Sequence, residues 1–315
     1  MSLELTNPIL IVGIGGVGSK LASRANETFG SDCLLISHDQ KDLDNNDSIK
    51  ISTESIINPS IYSIRGFTLK ASEQIREKIS NYSSVIIMTN LAGKAGSAMA
   101  PIISQICREA NKNVVSFVIM PFKYERDRIF ASGVSLKRVK TNSHCTFVID
   151  NDALLESNPD LSPKSCYEIA NSTILYALDS LKTSAIPEEM SFVTTSKNHT
   201  DLETSLRDSL KMLYENAPPN SIKRSMIYVL GGDNIPVGML DSISTLTSGV
   251  LSEGTGVELS STSSDESKVV MLSSIQGETR FDKYDPLGMI PQENTLDWDE
   301  PDCSIDCKLN LPQLE

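Results

Sequence analysis

The stretch Pro8-Ile-Leu-Ile-Val-Gly13-Ile-Gly15-Gly16-Val-Gly18-Ser19 decides the fold. A short apolar run, Pro8–Val12, enters a turn with glycines at 13, 15, 16 and 18. Ser19–Phe29 leaves the turn with helical spacing at Leu21, Ala25 and Phe29. Glycine tolerates positive φ and lets a backbone approach a phosphate. The helix N-terminus supplies free N–H groups and the positive end of a dipole. The next apolar run, Cys33–Ile36, is followed by His38-Asp39, and Asp39 lies 21 residues beyond Gly18. A nucleotide-binding βαβ unit carries its ribose-binding acid at that spacing. Gly13, Gly15, Gly16, Gly18 and Asp39 are therefore candidate nucleotide contacts, and the motif alone does not choose the nucleotide. The competing reading is a tight strand-to-helix turn without a ligand.

Outward from this turn the alternation continues. Ser72–Ser80 reads as a helix, Val85–Met88 as a strand, Ile102–Ala110 as a helix, and Val114–Met120 and Thr146–Ile149 as strands. The pattern predicts an α/β fold with a Rossmann-like parallel sheet covered on both faces. Ser165–Leu181 is the long central helix. After Pro187, Ser191–His199 is polar and Asp201–Tyr214 is an amphipathic helix. Met226–Leu230 and Lys268–Leu272 read as strands around a helix at Met239–Leu251. These boundaries predict a nucleotide-binding domain over 1–182, a smaller α+β domain over 183–285, and a disordered tail over 286–315. The tail carries Glu293, Asp297, Asp299, Glu300, Asp302, Asp306 and Glu315 against Lys308 alone.

The 315 residues are 39% hydrophobic, enough for a sizeable core, and carry a net charge of −13. That balance disfavours nucleic acid and anionic membrane surfaces as partners. No apolar run approaches the roughly 20 residues a membrane span needs, and no basic-then-apolar leader precedes the first strand. Six scattered cysteines read as reduced thiols, so a cytoplasmic location is expected. Cys303 and Cys307 are one pair without a second, so no metal site is expected.

Three further segments decide between nucleotide-binding families. Thr89-Asn-Leu-Ala-Gly93-Lys94-Ala-Gly96-Ser97-Ala-Met-Ala-Pro101 follows the third strand, and Met120-Pro-Phe-Lys-Tyr-Glu125-Arg-Asp-Arg128 follows the next. Ile149-Asp-Asn151-Asp-Ala-Leu-Leu155 precedes the central helix, which carries Tyr167 and Asn171 four apart, on one face. In this order the segments resemble the FtsZ/tubulin superfamily, most nearly archaeal or bacterial FtsZ-like proteins, over about 10–250. The resemblance implies that Gly93, Lys94, Gly96 and Ser97 occupy the phosphate-binding glycine loop. It implies that Glu125 contacts the ribose and Asn151 reads the nucleotide. Arg126 and Arg128 both lie near the family's phosphate-contacting arginine, and Arg128 is the assignment. Tyr167 stacks on guanine and Asn171 bonds its edge, since a ring supplies stacking and an amide supplies donor and acceptor. The implied ligand is GTP or GDP, with Mg²⁺ expected beside a triphosphate. Ala92, Lys94, Ala95 and Ala98 depart from the family's glycine and threonine positions, and alanine is strained wherever the loop needs positive φ. Lys94 offers an ammonium for phosphate in partial compensation, or is a solvated loop residue.

The family completes GTP hydrolysis between subunits, through an Asn-x-Asp-x-x-Asp loop after the central helix that enters the neighbour's site. Here the corresponding stretch, Pro187–Leu206, offers Asn198-His-Thr-Asp201. Asp201 is the candidate catalytic carboxylate, and Asn198 falls where the first Asp belongs. The competing reading makes Asp201 a helix N-terminal residue facing the dipole. Glu188 and Glu189 are possible substitutes. The resemblance thus implies a guanine-nucleotide-binding protein that assembles head to tail into filaments, with weak or absent hydrolysis. Two alternatives stand beside it. One is a non-catalytic pseudo-GTPase scaffold whose acidic tail recruits a protein partner. The other is a Rossmann-type enzyme using NAD(P) or ATP. Against the latter, Asp42–Asp47 is acidic where an adenylyltransferase needs a basic stretch, and His38, His144 and His199 form no proton relay.

Overall fold

The computed structural model describes residues 2–43, 47–54, 57–182, 186–187, 190–197, 201–231, 235–251, 255–262 and 267–284. The expected tail (286–315), Glu188, Glu189, Asn198, Gly232, Cys303 and Cys307 lie outside them. The elements of the first half are β1 (Ser2–Leu3), β2 (Ile9–Ile14), α1 (Gly15–Phe29), β3 (Asp32–Ser37), β4 (Ser48–Lys50), α2 (Ile61–Lys70), α3 (Ser72–Ile79), β5 (Ser84–Asn90), α4 (Lys94–Glu109), β6 (Asn113–Met120), α5 (Arg126–Asn142) and β7 (Cys145–Asp150). The second half adds α6 (Asn151–Ser157), α7 (Pro163–Ser180), β8 (Ile186–Pro187), β9 (Met190–Thr195), α8 (Leu202–Asn216), β10 (Ile222–Leu230), α9 (Val237–Val250), β11 (Gly256–Thr262) and β12 (Lys268–Ile275).

Ten strands form one sheet in the order β11-β10-β12-β9-β7-β6-β5-β2-β3-β4. From β4 to β9 every pairing is parallel, and β12 then runs antiparallel to both β9 and β10. Parallel strands buried on both faces read as continuous apolar runs, which is why β2, β5, β6 and β7 were visible in the sequence. Alternate residues feed two cores. Val12, Ile87 and Val118 pack under α2–α5 and α8, while Ile11, Ile86 and Phe117 pack under α1 and α7.

The strands of the 183–285 segment do not form a separate sheet. β9 pairs with β7 in register Thr146↔Met190 to Val148↔Phe192, so the nucleotide-binding sheet continues through the second half. Sequence reading took Ser191–His199 as a polar stretch because four hydroxyl residues follow Met190. In the fold they are buried, with Ser196 bonded to Ser205 (2.6 Å) and Thr195 to the Val269 carbonyl (3.4 Å). Hydroxyls that find partners can line a core.

α4 starts at Lys94 and runs through Pro101, eight residues earlier than the apolar spacing indicated. Proline removes the N–H that would bond the carbonyl four residues back. That carbonyl, Ser97 O, instead accepts the Ser135 hydroxyl at 2.8 Å and Arg65 Nη2 at 3.5 Å.

Candidate functional site

The order of the parallel strands reverses between β2 and β5. β3 and β4 extend one way, β6 and β7 the other, leaving a crevice beyond their carboxyl ends. Ligands of open α/β sheets bind at such a switch point. All the candidate residues from Gly13 to Asn171 belong to turns or helices that start at this edge.

Gly15 opens α1 at φ +68°, and a Cβ built there stands 2.8 Å from Ala95 Cβ. The first and second loops therefore touch. α1 and α4 each begin without a side-chain cap and without an acid in the first turn. Two uncapped N-termini, each with free N–H groups and a positive dipole end, converge on one place. Packing explains other glycines. A Cβ on Gly18 stands 2.2 Å from Met88 O, on Gly96 2.0 Å from Asn90 O, and on Gly13 2.6 Å from Gly18 O. Gly93, the residue before α4, meets only Asn90 O at 3.5 Å, so space alone does not require it.

The strain expected at Ala92, Lys94, Ala95 and Ala98 is absent, because none of them has positive φ. Hydrogen bonds brace this loop instead. Leu91 O accepts the hydroxyls of Ser97 and of Ser132 (2.8 Å), and Asn90 Oδ1 accepts Ala92 N–H (2.9 Å). Ser97 thus turns its buried hydroxyl inward to Leu91. Lys94 Nζ donates to Asn58 Oδ1 at 2.6 Å, tying the loop before α2 over the start of α4.

Asp39 caps the short turn Gln40–Asp42 by accepting Lys41 N–H at 3.0 Å. Asp42, which sequence reasoning missed, is the acid that meets the first glycine turn. It accepts the buried Ser37 hydroxyl at 2.6 Å, and its Oδ1 is 2.6 Å from a Cβ built on Gly16. Its only sequence signal is a serine at the end of the second strand, five residues before an acid.

The base-recognition residues gather around Phe122. Tyr167 meets its ring edge-on, with centroids 5.4 Å apart, and Tyr124 stacks on it at 5.1 Å. Burial first, then the nearby Glu125 carboxylate, pushes the Tyr167 phenol up to about 12. Glu125 is held by Phe122 N–H (3.2 Å) and Arg128 Nη1 (2.7 Å), so Arg128 is fixed by the carboxylate. Asn151 is fully buried, and its amide donates to Met120 O at 3.2 Å. The side-chain oxygens of Asn151 and Asn171 are both buried and have no hydrogen-bond partner. Unsatisfied buried acceptors are costly, and two at the predicted base-binding positions fit a ligand that donates to them.

Beneath the Asn151 turn lies an ion cluster. Arg280, from the turn Arg280–Tyr284 after β12, meets Asp150 (3.0 Å), Asp152 and Glu156 (3.2 Å), and Lys123 meets Asp152 (3.3 Å) and Glu156. Three carboxylates share two cations, and the fully buried Asp150 is pushed up to about 7, chiefly by desolvation.

Asp201 stands apart from this arrangement. It is the N-cap of α8, accepting Glu203 N–H and Thr204 N–H, each at 3.2 Å. It follows β9, which runs parallel to β7, so it lies at the carboxyl edge of the sheet like the chain's own glycine turns. The segment that follows the central helix is 181–189, Leu-Lys-Thr-Ser-Ala-Ile-Pro-Glu-Glu, with neither Asp nor Asn. Among the described residues, no group of three or more His, Cys, Asp or Glu is arranged to hold a metal. No described helix is long and apolar enough to cross a membrane.

Residues 8–159 match the sequence profile of the Tubulin/FtsZ family, GTPase domain. Cell division protein FtsZ 2 of Halobacterium salinarum is 26% identical over 178 residues, covering 53% of this chain and 44% of that protein. The chain spans about half the length of the curated relatives it matches. In fold it is similar to the empty FtsZ dimer of M. jannaschii, with a TM-score of 0.68 at 16% identity over 85% of this chain and 88% of that one. CetZ2 from Haloferax volcanii, solved as a GTPγS-bound protofilament, superposes at 0.64 with 15% identity over 88% and 96%. The profile match and sequence relatives over the first half, with the shared fold throughout, make this chain a divergent member of the FtsZ/tubulin superfamily.

Proposed function

We propose that the chain binds GTP or GDP and assembles head to tail into filaments, hydrolysing GTP slowly or not at all. One observation carries the binding half of this reading: two uncapped helix N-termini meet at Gly15 and Ala95, beside a base site with two unpartnered amide oxygens. In it, Gly13, Gly15, Gly16, Gly18, Gly93 and Gly96 present or shape the backbone around phosphate. Tyr167, Asn171 and Asn151 hold the base, with Glu125 beside the ribose. Mg²⁺ accompanies a triphosphate, drawing most of its ligands from phosphate and water.

Assembly is supported by what surrounds the site. Ile57 is 95% exposed, Tyr62 78% and Tyr124 60%, all on segments flanking the carboxyl edge. Apolar side chains grouped around a ligand mouth mark a contact surface. Head-to-tail contacts use two different faces and propagate without closing.

Weak hydrolysis follows from the position of Asp201. A carboxylate that completes a neighbour's site must stand opposite the chain's own nucleotide, and Asp201 stands at the same edge, engaged as a cap. A second reading, a pseudo-GTPase scaffold, is favoured by Ser97 and Lys94, whose polar atoms are both taken by protein groups. Phosphate release measured against protein concentration, with sedimentation in parallel, tests the proposal. GTP-dependent pelleting with little release supports it. Release rising steeply with concentration contradicts the hydrolytic half, and no GTP-dependent pelleting contradicts the filament half.

A further inference from the structure

A trough runs along the C-terminal half of α5, on the side of the sheet away from α1 and α7. Its main cavity, about 750 Å³, lies between α5 and the segment 278–283, and a smaller one of about 240 Å³ continues it toward His144. Both share Lys140 and Met190. Leu136, Met190 and Phe281 form an apolar lining, and Lys137, Lys140 and Lys283 stand exposed at the rim. Of the two acids present, Asp282 already accepts Thr279 N–H at 2.6 Å, leaving Glu278 against three lysines. In a chain of net charge −13, a lysine-rimmed apolar trough is a complementary surface for an acidic segment.

The structure also shows where such a segment begins. Tyr284 sits on α5 itself, since a Cβ built on Gly133, which lines the cavity, would stand 2.6 Å from Tyr284 Cβ. Residues 285–315 leave from that point. Within them, Leu296-Asp-Trp298-Asp-Glu300 places two apolar side chains on alternate positions among three acids. From Gly133 to Asn142 α5 is roughly 14 Å long at 1.5 Å per residue, which matches five extended residues at about 3.3 Å each. The eleven residues between Tyr284 and Leu296 reach up to roughly 40 Å, so the trough is within range of its own tail.

We propose that Leu296–Glu300 docks in this trough of the same chain, with Trp298 in the main cavity and Asp297, Asp299 and Glu300 facing Lys137, Lys140 and Lys283. Extended peptides bind in this manner, alternate side chains entering pockets while the others face solvent or the rim. The tail then has an intramolecular partner, and recruitment of another protein would require its release.

Trp298 is the chain's only tryptophan, so its emission reports on the tail alone. In the full chain the emission is expected to be blue-shifted and shielded from acrylamide relative to a free peptide of residues 286–315. Dilution should leave this unchanged. The double variant Lys140→Glu/Lys283→Glu, with its circular dichroism unaltered, should give the emission and quenching of the free peptide, as should high salt in part. Emission like the free peptide in the unaltered chain overturns the proposal. So does a blue shift that survives the double variant, which places Trp298 elsewhere. A shift that appears only as concentration rises assigns the tail to a neighbouring copy and overturns the intramolecular form.

Discussion

At Tyr167 and Asn171 recognition rests on two side chains one helical turn apart, one offering a ring and the other an amide oxygen with no protein partner. Asn171→Ala is expected to weaken guanine binding by about 1–2 kcal/mol, roughly 5–30-fold, with a much smaller effect on any adenine nucleotide. Tyr167→Ala should lower affinity for both bases. Titrations of each variant with GTP and ATP check this, and equal losses for both nucleotides in Asn171→Ala would contradict the edge-reading role. The glycines separate just as sharply. Gly18→Ala forces a methyl to 2.2 Å from the Met88 carbonyl of a central strand and should cost about 3 kcal/mol or more in urea unfolding. Gly93→Ala, with nothing nearer than 3.5 Å, should cost far less in stability while reducing nucleotide affinity.

Much of this site was legible residue by residue. Asn151, Tyr167 and Asn171 carry distinctive chemistry at fixed spacing, and the structure brings them to one edge. Three assignments read differently in space. Ser97 has the right residue type, but its hydroxyl satisfies Leu91 O, and Lys94 is drawn to Asn58. Asp42 was invisible because its role depends on Ser37 and Gly16, which the fold rather than the sequence brings together.

Among elements, those the sequence hid share one cause. α5 buries Ser132, Gly133, Ser135, Leu136 and Val139, so its inner face is mostly small and polar and leaves little hydrophobic signal. β9 hides for the same reason, its hydroxyls being satisfied across the sheet. The ion cluster at the start of α6 makes an element-scale prediction. Asp150 has its folded-state pKa raised from 3.8 to about 7, so it favours the folded state most at low pH. That contribution is lost as pH rises through about 7, and stability should fall accordingly. Asp150→Asn keeps the shape without the charge. Its urea midpoint should vary less between pH 5 and pH 8 than that of the unaltered chain, and an identical pH slope would contradict a protonated Asp150. Arg280→Ala leaves three carboxylates with Lys123 alone and should cost about 3–5 kcal/mol at pH 8.

For the whole molecule, one ten-stranded sheet joins the nucleotide crevice to the second half, and Arg280 ties the last described turn to the helix that reads the base. The parallel half of that architecture was readable from apolar runs and glycine turns. Its continuation past β7 was not, because pairing between distant strands leaves no local mark. The same sheet fixes Asp201 at the edge it shares with the nucleotide, and this is why filament assembly and rapid hydrolysis separate in the account given above. The most direct measurement is calorimetric titration of the purified chain with GTP, GDP, ATP and NAD. Saturable binding of GTP and GDP, with ATP and NAD at least tenfold weaker (about 1.4 kcal/mol), is the predicted result. Equal affinity for ATP, or no guanine binding at all, would contradict a guanine site built from the Gly15–Ala95 cradle and the Tyr167–Asn171 pair.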